Sequence, residues 1–130
     1  MKNYYDDWNE RYIESFGDIF QAARAQSDDG LIAHVVRMAG IRDGMRVLDA
    51  GCGDGFYLGS LARETGCAGH GVDISIPAID AAARRYPECE WIVANADRLI
   101  PYSDASFSLV LSITGRMNAD EFRRVLKSGG

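Results

Sequence analysis

The spacing of apolar positions changes character once along the chain. Between residues 4 and 20, Tyr5, Trp8, Tyr12, Ile13, Phe16 and Phe20 recur at intervals close to three and four, the spacing of one helical face, with Gly17 as a point where the helix can break. A second helix is predicted from Ser27 as N-cap, through a stripe of Leu31, Ile32, Val35, Val36 and Ala39, to Gly40 where helices commonly end in glycine. After the turn Arg42-Asp43-Gly44, short apolar runs alternate with helical stretches. Arg46 to Asp49 reads as a strand, 56 to 65 as a helix, and His70 to Asp73 as a second strand. Pro77 then opens a helix that runs through Arg85 and is stopped by Pro87. Glu90 to Ala94 and Phe107 to Ile113 read as third and fourth strands, both buried, with a turn-rich Ser103 to Ser106 before the fourth. The last helix has Asn118 as N-cap and Glu121 three residues on, a capping-box arrangement, and is predicted to bury Phe122, Val125 and Leu126.

Strands alternating with helices of this length are the signature of an α/β fold whose parallel sheet is covered by helices. The chain ends in Lys127-Ser128-Gly129-Gly130, and a glycine pair after a helix ordinarily turns the chain into another element. The expectation is therefore a fold cut short after its fourth strand and following helix, leaving that strand as an exposed edge open to pairing with another chain, as in a homo-oligomer.

Composition narrows the picture. The 130 residues suit one compact domain, and no apolar stretch is long enough to span a membrane. The N-terminus lacks the apolar core of a signal peptide, which points to the cytoplasm. Cys52, Cys67 and Cys89 are odd in number and too widely spaced for metal ligation through CxxC pairs, so reduced thiols and no metal are expected. A net charge of -5 argues against nucleic acid as a partner and favours a small substrate.

The chemistry centres on Val47 to Gly55. Here a strand passes into a helix through Gly51, Gly53 and Gly55, and open α/β sheets bind ligands at such places. Glycines allow close backbone approach, and the N–H groups at the start of the next helix can meet polar ligand atoms. The dinucleotide pattern GxGxxG fails in both frames, because Phe56 and Leu58 stand where its third glycine belongs. What remains is Asp49-x-Gly51-x-Gly53-x-Gly55. About 20 residues further on, Asp73 closes the second strand, where an acidic side chain can accept both hydrogens of a ribose diol. Taken alone, Asp73 could equally be a helix cap.

The acidic GxGxG loop resembles the first motif of class I S-adenosylmethionine-dependent methyltransferases, and the resemblance continues from Met45 to Gly130. Gly71 to Ser75 matches the second strand and its acidic end, Ala94 to Leu99 the loop after the third strand, and Leu126 to Gly130 the family's LKPGG. The resemblance implies a Rossmann-like sheet holding S-adenosylmethionine as cofactor, with 1–42 as an N-terminal helical cap and 43–130 as a partial cofactor-binding domain. On this reading Asp49 complements the cationic ammonium of the cofactor's methionine part, where a pyrophosphate would be repelled. Gly51, Cys52, Gly53 and Gly55 form the loop, Asp73 holds the ribose, and Ile74 lies on the adenine face, with core packing as the equal alternative for Ile74. Asn95 stands where the family commonly has an aspartate that accepts from the adenine amino group, so its uncharged amide oxygen implies a kept but weaker contact, beside the backbone N–H of Ala96. Ser112, with Ile113, faces the methionine part and the methyl group, with core packing again the equal alternative for Ile113. Ile100 reads as an insertion before Pro101.

Residues 70–130 are also similar to guanine-specific ribosomal RNA methyltransferases, through Ala82 to Pro87 and the short link from Ile113 to Leu126. That subfamily opens with a cysteine-rich zinc module, whereas residues 4–44 resemble the helical cap of small-molecule methyltransferases. The function implied is methyl transfer to a small molecule by in-line displacement, in which alignment matters more than a dedicated base. No catalytic residue is assigned. His34 and His70 read as structural, and Cys52 as a small loop residue. Tyr4, Tyr5 and Trp8 read as helix packing, with a lid over the sulfonium as the competing role. The alternatives are an adenosylmethionine-binding or interaction fragment without turnover and, less favoured, a nicotinamide-dependent dehydrogenase.

Overall fold

The computed structural model describes residues 28–113 and 117–129. The aromatic stripe of residues 4–20, the candidate lid residues Tyr4, Tyr5 and Trp8, and Ser27 as a cap lie outside the described residues. The first described helix, α1 (Asp28–Ala39), buries Ile32 and Val35 three residues apart and ends at Gly40, whose φ of 65° is the left-handed conformation expected after a helix. His34 is half-buried on it.

Ile41 to Gly130 forms a separate compact unit. Its elements are β1 (Arg46–Ala50), α2 (Phe56–Thr65), β2 (Ala68–Asp73), α3 (Ile76–Arg85), β3 (Glu90–Val93), β4 (Leu109–Leu111) and α4 (Ala119–Val125). The strands form one parallel sheet in the order β3-β2-β1-β4. Central β1 is enclosed, with Val47 and Leu48 fully buried. Such burial on both faces is why its sequence reads as an unbroken apolar run. From α2, Leu58 and Leu61 are also fully buried, each burial contributing about 1.5–3 kcal/mol. α3 starts as its sequence suggests. Ser75 Oγ accepts the N–H of Ala78 at 3.3 Å, and Pro77 sits in the first turn, where no N–H is required.

Four expectations need correction. The third strand is a sheet edge, with Val93 44% exposed. Its run of apolar residues reflects one large side chain, Trp91, which packs inward over the glycines of neighbouring elements. The fourth strand is shorter than 107 to 113, because Phe107 leaves the ladder for a parallel bridge with Leu126 after α4. The N–H groups of Ser106 and Phe107 both donate to Val125 O, and Lys127 N donates back to Phe107 O. Leu126, expected to be buried, is half-buried in that bridge.

The capping box is only half formed. Asn118 Oδ1 accepts the N–H of Glu121 at 3.3 Å, but Glu121 turns its carboxylate to Ile100 N at 2.8 Å and to Arg124. The hydrogen bonds from Arg124 hold the Glu121 carboxyl below its ordinary pKa. Ile100, read as an insertion, is a fully buried core residue whose backbone is anchored at both ends by α4. No described helix is long and apolar enough to cross a membrane.

Candidate cofactor site

Parallel pairing places the carboxyl ends of all four strands along one edge of the sheet. After β1 the chain goes to β2 and β3 on one side, then returns to β4 on the other. The crevice at this reversal is where open α/β sheets bind ligands. The register sets Asp49 beside Gly71 on one flank and Leu111 on the other.

The loop leaving β1 turns through Gly51, Gly53 and Gly55, with φ of 82°, 58° and 83°. Side chains with a Cβ rarely adopt these values, which accounts for the alternating glycines. Gly51 N and Cys52 N both donate to Val72 O, at 2.7 and 3.1 Å, fixing the loop to the end of β2. A Cβ on Gly53 would meet nothing within 4 Å, so this glycine faces open space. Gly55 does not. A Cβ there would lie 2.5 Å from Trp91 Cη2, so Gly55 accommodates an indole ring underneath the loop.

Asp73 ties the site together. Its Oδ2 accepts Gly53 N at 2.8 Å and its Oδ1 accepts Ser75 N at 2.9 Å. Each oxygen keeps a second lone pair. The cap of α3 is Ser75 rather than Asp73. Ala94 N donates to Asp73 O at 3.0 Å, bringing the loop after β3 alongside. In that loop Asn95 is exposed, and its Oδ1 accepts Asp97 N at 3.1 Å. Ile74 is 68% exposed next to Asp73, so it is not a core residue. Ser112 and Ile113 follow β4, Ser112 buried and Ile113 half-buried.

Asp49 is the anomaly of the site. It is only 2% exposed, and its Oδ1 is a buried polar atom without a hydrogen-bond partner among the described residues. Burial, then the charge of Asp73, raises its pKa to about 7. Strongly perturbed buried carboxyls cluster at functional sites, which makes Asp49 a candidate. The Cys52 thiol is pushed far up by burial and by the same two carboxylates, so it is no nucleophile at neutral pH.

His70, on β2, faces away from this chemistry. Its Nδ1 lies 3.2 Å from Tyr102 Oη, its ring packs edge-on against Tyr102 and Phe107, and burial lowers its pKa. Reasoning from sequence missed Trp91, and the signal available was Gly71 in the middle of a strand, which marks a close approach.

Residues 47–130 match a family model described as a methyltransferase domain. The 23S rRNA (guanine(748)-N(1))-methyltransferase of Streptomyces fradiae is 34% identical over 85 residues, covering 65% of this chain and 30% of that protein. The demethylmenaquinone methyltransferase of Chlorobaculum tepidum is 33% identical over 92 residues, covering 65% of this chain and 38% of its own length. The chain thus spans about a third of the length of these curated relatives. A crystal structure of an S-adenosylmethionine-dependent methyltransferase from Geobacter sulfurreducens, in complex with S-adenosyl-L-homocysteine, superposes with a TM-score of 0.65 at 26% identity, over 76% of this chain and 44% of that one. The family match begins within β1 and takes in the glycine loop and every strand that builds the crevice, and the chain belongs to the class I S-adenosylmethionine-dependent methyltransferases.

Proposed function

We propose that the chain binds S-adenosylmethionine at the carboxyl edge of its sheet and serves methyl transfer to a small-molecule acceptor. The observation that carries this reading is the buried Oδ1 of Asp49, without a partner among the described residues, beside a glycine loop that is open at Gly53. A buried carboxyl that ionises only at about pH 7 suits a ligand that brings a cation to it, and the cofactor's ammonium is one. The residues present fit the rest of the cofactor: Gly51, Cys52 and Gly53 offer a close backbone approach, Asp73 the free lone pairs for a ribose diol, and Ile74 an exposed apolar surface for adenine. Asn95 and Ala96 provide the polar edge for the base, and Ser112 flanks the methionine end. Gly55 serves the loop from below, against Trp91.

When bound, S-adenosylmethionine supplies a methyl group on a cationic sulfur, already activated for displacement. The chain's own contribution is to hold that group in line with the acceptor. A small acceptor is favoured over RNA by the net charge of -5, and the relative from Chlorobaculum tepidum is named a demethylmenaquinone methyltransferase. The three cysteines are buried free thiols, in keeping with a cytoplasmic setting. The division into an N-terminal cap segment, 1–42, and a partial cofactor-binding domain, 43–130, is part of this proposal.

Calorimetric titration with S-adenosylmethionine, S-adenosyl-L-homocysteine and NAD tests the reading. The first two are expected to bind and NAD is not. Asp73→Ala removes both the ribose contacts and the brace on Gly53 N–H, and should weaken binding by more than about tenfold, since hydrogen bonds to a charged group are worth roughly 1.5–3 kcal/mol each. Ile74→Ala should weaken binding several-fold while leaving stability within about 0.5 kcal/mol, because the side chain is exposed. Absence of S-adenosylmethionine binding to the unaltered chain would sink the proposal, and tight NAD binding would restore the dinucleotide reading.

β4 is, with β3, one of the two edge strands of the sheet among the described residues. We propose that the outer backbone of β4 pairs with a second copy of the chain, and a single monomeric species in sedimentation equilibrium would refute this.

A further inference from the structure

Helix α4 lies outside the crevice, yet its polar side chains reach the loop that follows β3. Asn118 Nδ2 donates to Ala96 O at 3.1 Å and to Asp97 O at 2.9 Å, while its Oδ1 caps the helix by accepting Glu121 N. One helical turn on, Glu121 Oε2 accepts Ile100 N at 2.8 Å. A further turn on, Arg124 Nη2 donates to Ile100 O at 2.7 Å and Nη1 to Tyr102 O at 2.8 Å. Side chains spaced by three thus hold the loop backbone from residue 96 to residue 102.

The peptide between Ala96 and Asp97 is held at both ends. Its carbonyl accepts from Asn118, and its N–H donates to Asn95 Oδ1 at 3.1 Å. The next peptide is fixed likewise, Asp97 O by Asn118 and Arg98 N by Asn95 O at 3.0 Å. The direction of the Asn95 carboxamide therefore depends on a peptide plane that Asn118 sets. An uncharged amide makes a weaker and more direction-dependent contact than a carboxylate would, so its aim carries more of the recognition.

We infer that Asn118 is a positioning residue for base selection: by fixing the Ala96–Asp97 peptide it aims the Asn95 amide oxygen at the 6-amino group of a bound adenine. The inference rests on the S-adenosylmethionine reading of the site. Asn118 touches no ligand in this role and acts through Asn95.

Asn118→Asp keeps an oxygen to cap α4 but replaces both donors with an acceptor facing two carbonyls. Asn118→Ser keeps the cap and lacks the reach, and it guards against a folding defect caused by the new charge. The probes are S-adenosyl-L-homocysteine and its inosine analogue S-inosyl-L-homocysteine, which has no 6-amino donor, titrated calorimetrically into the full chain alongside a thermal melt.

The unaltered chain is expected to prefer the adenosine ligand. Both variants should lose about tenfold in affinity for it, and less than about twofold for the inosine analogue, with the melting temperature kept. Equal weakening of the two ligands, or an unchanged preference, would overturn the inference and leave Asn118 as a helix cap. If the unaltered chain binds neither ligand, the reading of the site itself has failed, and the inference falls with it.

Discussion

Replacing Asp49 with asparagine should stabilise the ligand-free domain at neutral pH while weakening S-adenosylmethionine binding by about a hundredfold, the scale on which removing one partner of a buried ion pair acts. Both effects have one source. The carboxyl is buried, its Oδ1 has no partner among the described residues, and burial followed by the charge of Asp73 lifts its pKa from 3.8 to about 7.

The sign of the pH dependence follows from proton counting. In the unfolded chain the carboxyl ionises near its ordinary value, whereas in the native domain it keeps its proton until about pH 7. Between those values the native state holds more protons. Stability therefore falls as pH rises through this window, and above it the whole penalty is present, on the order of 4 kcal/mol at most. Asparagine has nearly the same shape and no charge, so thermal unfolding at pH 8 should show the variant more stable by roughly 2–4 kcal/mol, and at pH 4 the two proteins should coincide.

Binding should run the opposite way. Ionised Asp49 is the form that complements an ammonium, so the unaltered chain should gain affinity as pH rises toward 7 and Asp49→Asn should show no such gain. Equal stability of the two proteins at pH 8, or an unaltered pH profile of binding in the variant, would mean that the carboxylate is satisfied by something other than the ligand.

That a stability cost marks the site explains why so much of it was legible in the sequence. Asp49, Gly51 and Gly53 stand out because each breaks a local rule: a charge lies within a buried strand, and alternating glycines follow it in the loop to the next helix. Strand β1 and helices α2 and α3 were readable for the opposite reason, since their apolar positions agree with their final burial. The misreadings fall where a single long-range contact overrides local pattern. β3 looked buried because Trp91 and Ile92 are large and apolar, but one inward tryptophan is enough to give an edge strand that appearance. The fourth strand looked longer because Phe107 is apolar and β-prone, although its backbone pairs with Leu126. Asn118 and Glu121 were recognisable as a cap, and nothing local could indicate that Asn118 Nδ2 and the Glu121 carboxylate would cross to residues 96 to 100.

A large, purely structural effect is expected at Gly71. This residue lies in β2, where glycine weakens a strand and has no turn to serve. An added Cβ would stand 2.4 Å from Trp91 Cε3, 2.5 Å from Cζ3 and 2.9 Å from Cys52 Sγ. The indole cannot withdraw easily. Its Nε1 donates to Tyr86 O at 2.8 Å, and its far edge already fills the space left by Gly55 and approached by Ala82. The other neighbour, Cys52, belongs to the glycine loop, so relief in that direction moves the candidate cofactor site. Gly71→Ala should therefore cost about 3 kcal/mol, the upper end of overpacking by one methyl group, and lower the melting temperature by roughly 10 °C. Cofactor affinity should fall with it, because the loop shares the strain. A double-mutant cycle separates this cause from a general loss of strand stability: in a Trp91→Leu background the Cβ meets a smaller, more pliable side chain, and the cost of Gly71→Ala should drop by more than about 1 kcal/mol. An undiminished cost in that background would place the strain in the backbone of β2 instead of against the ring.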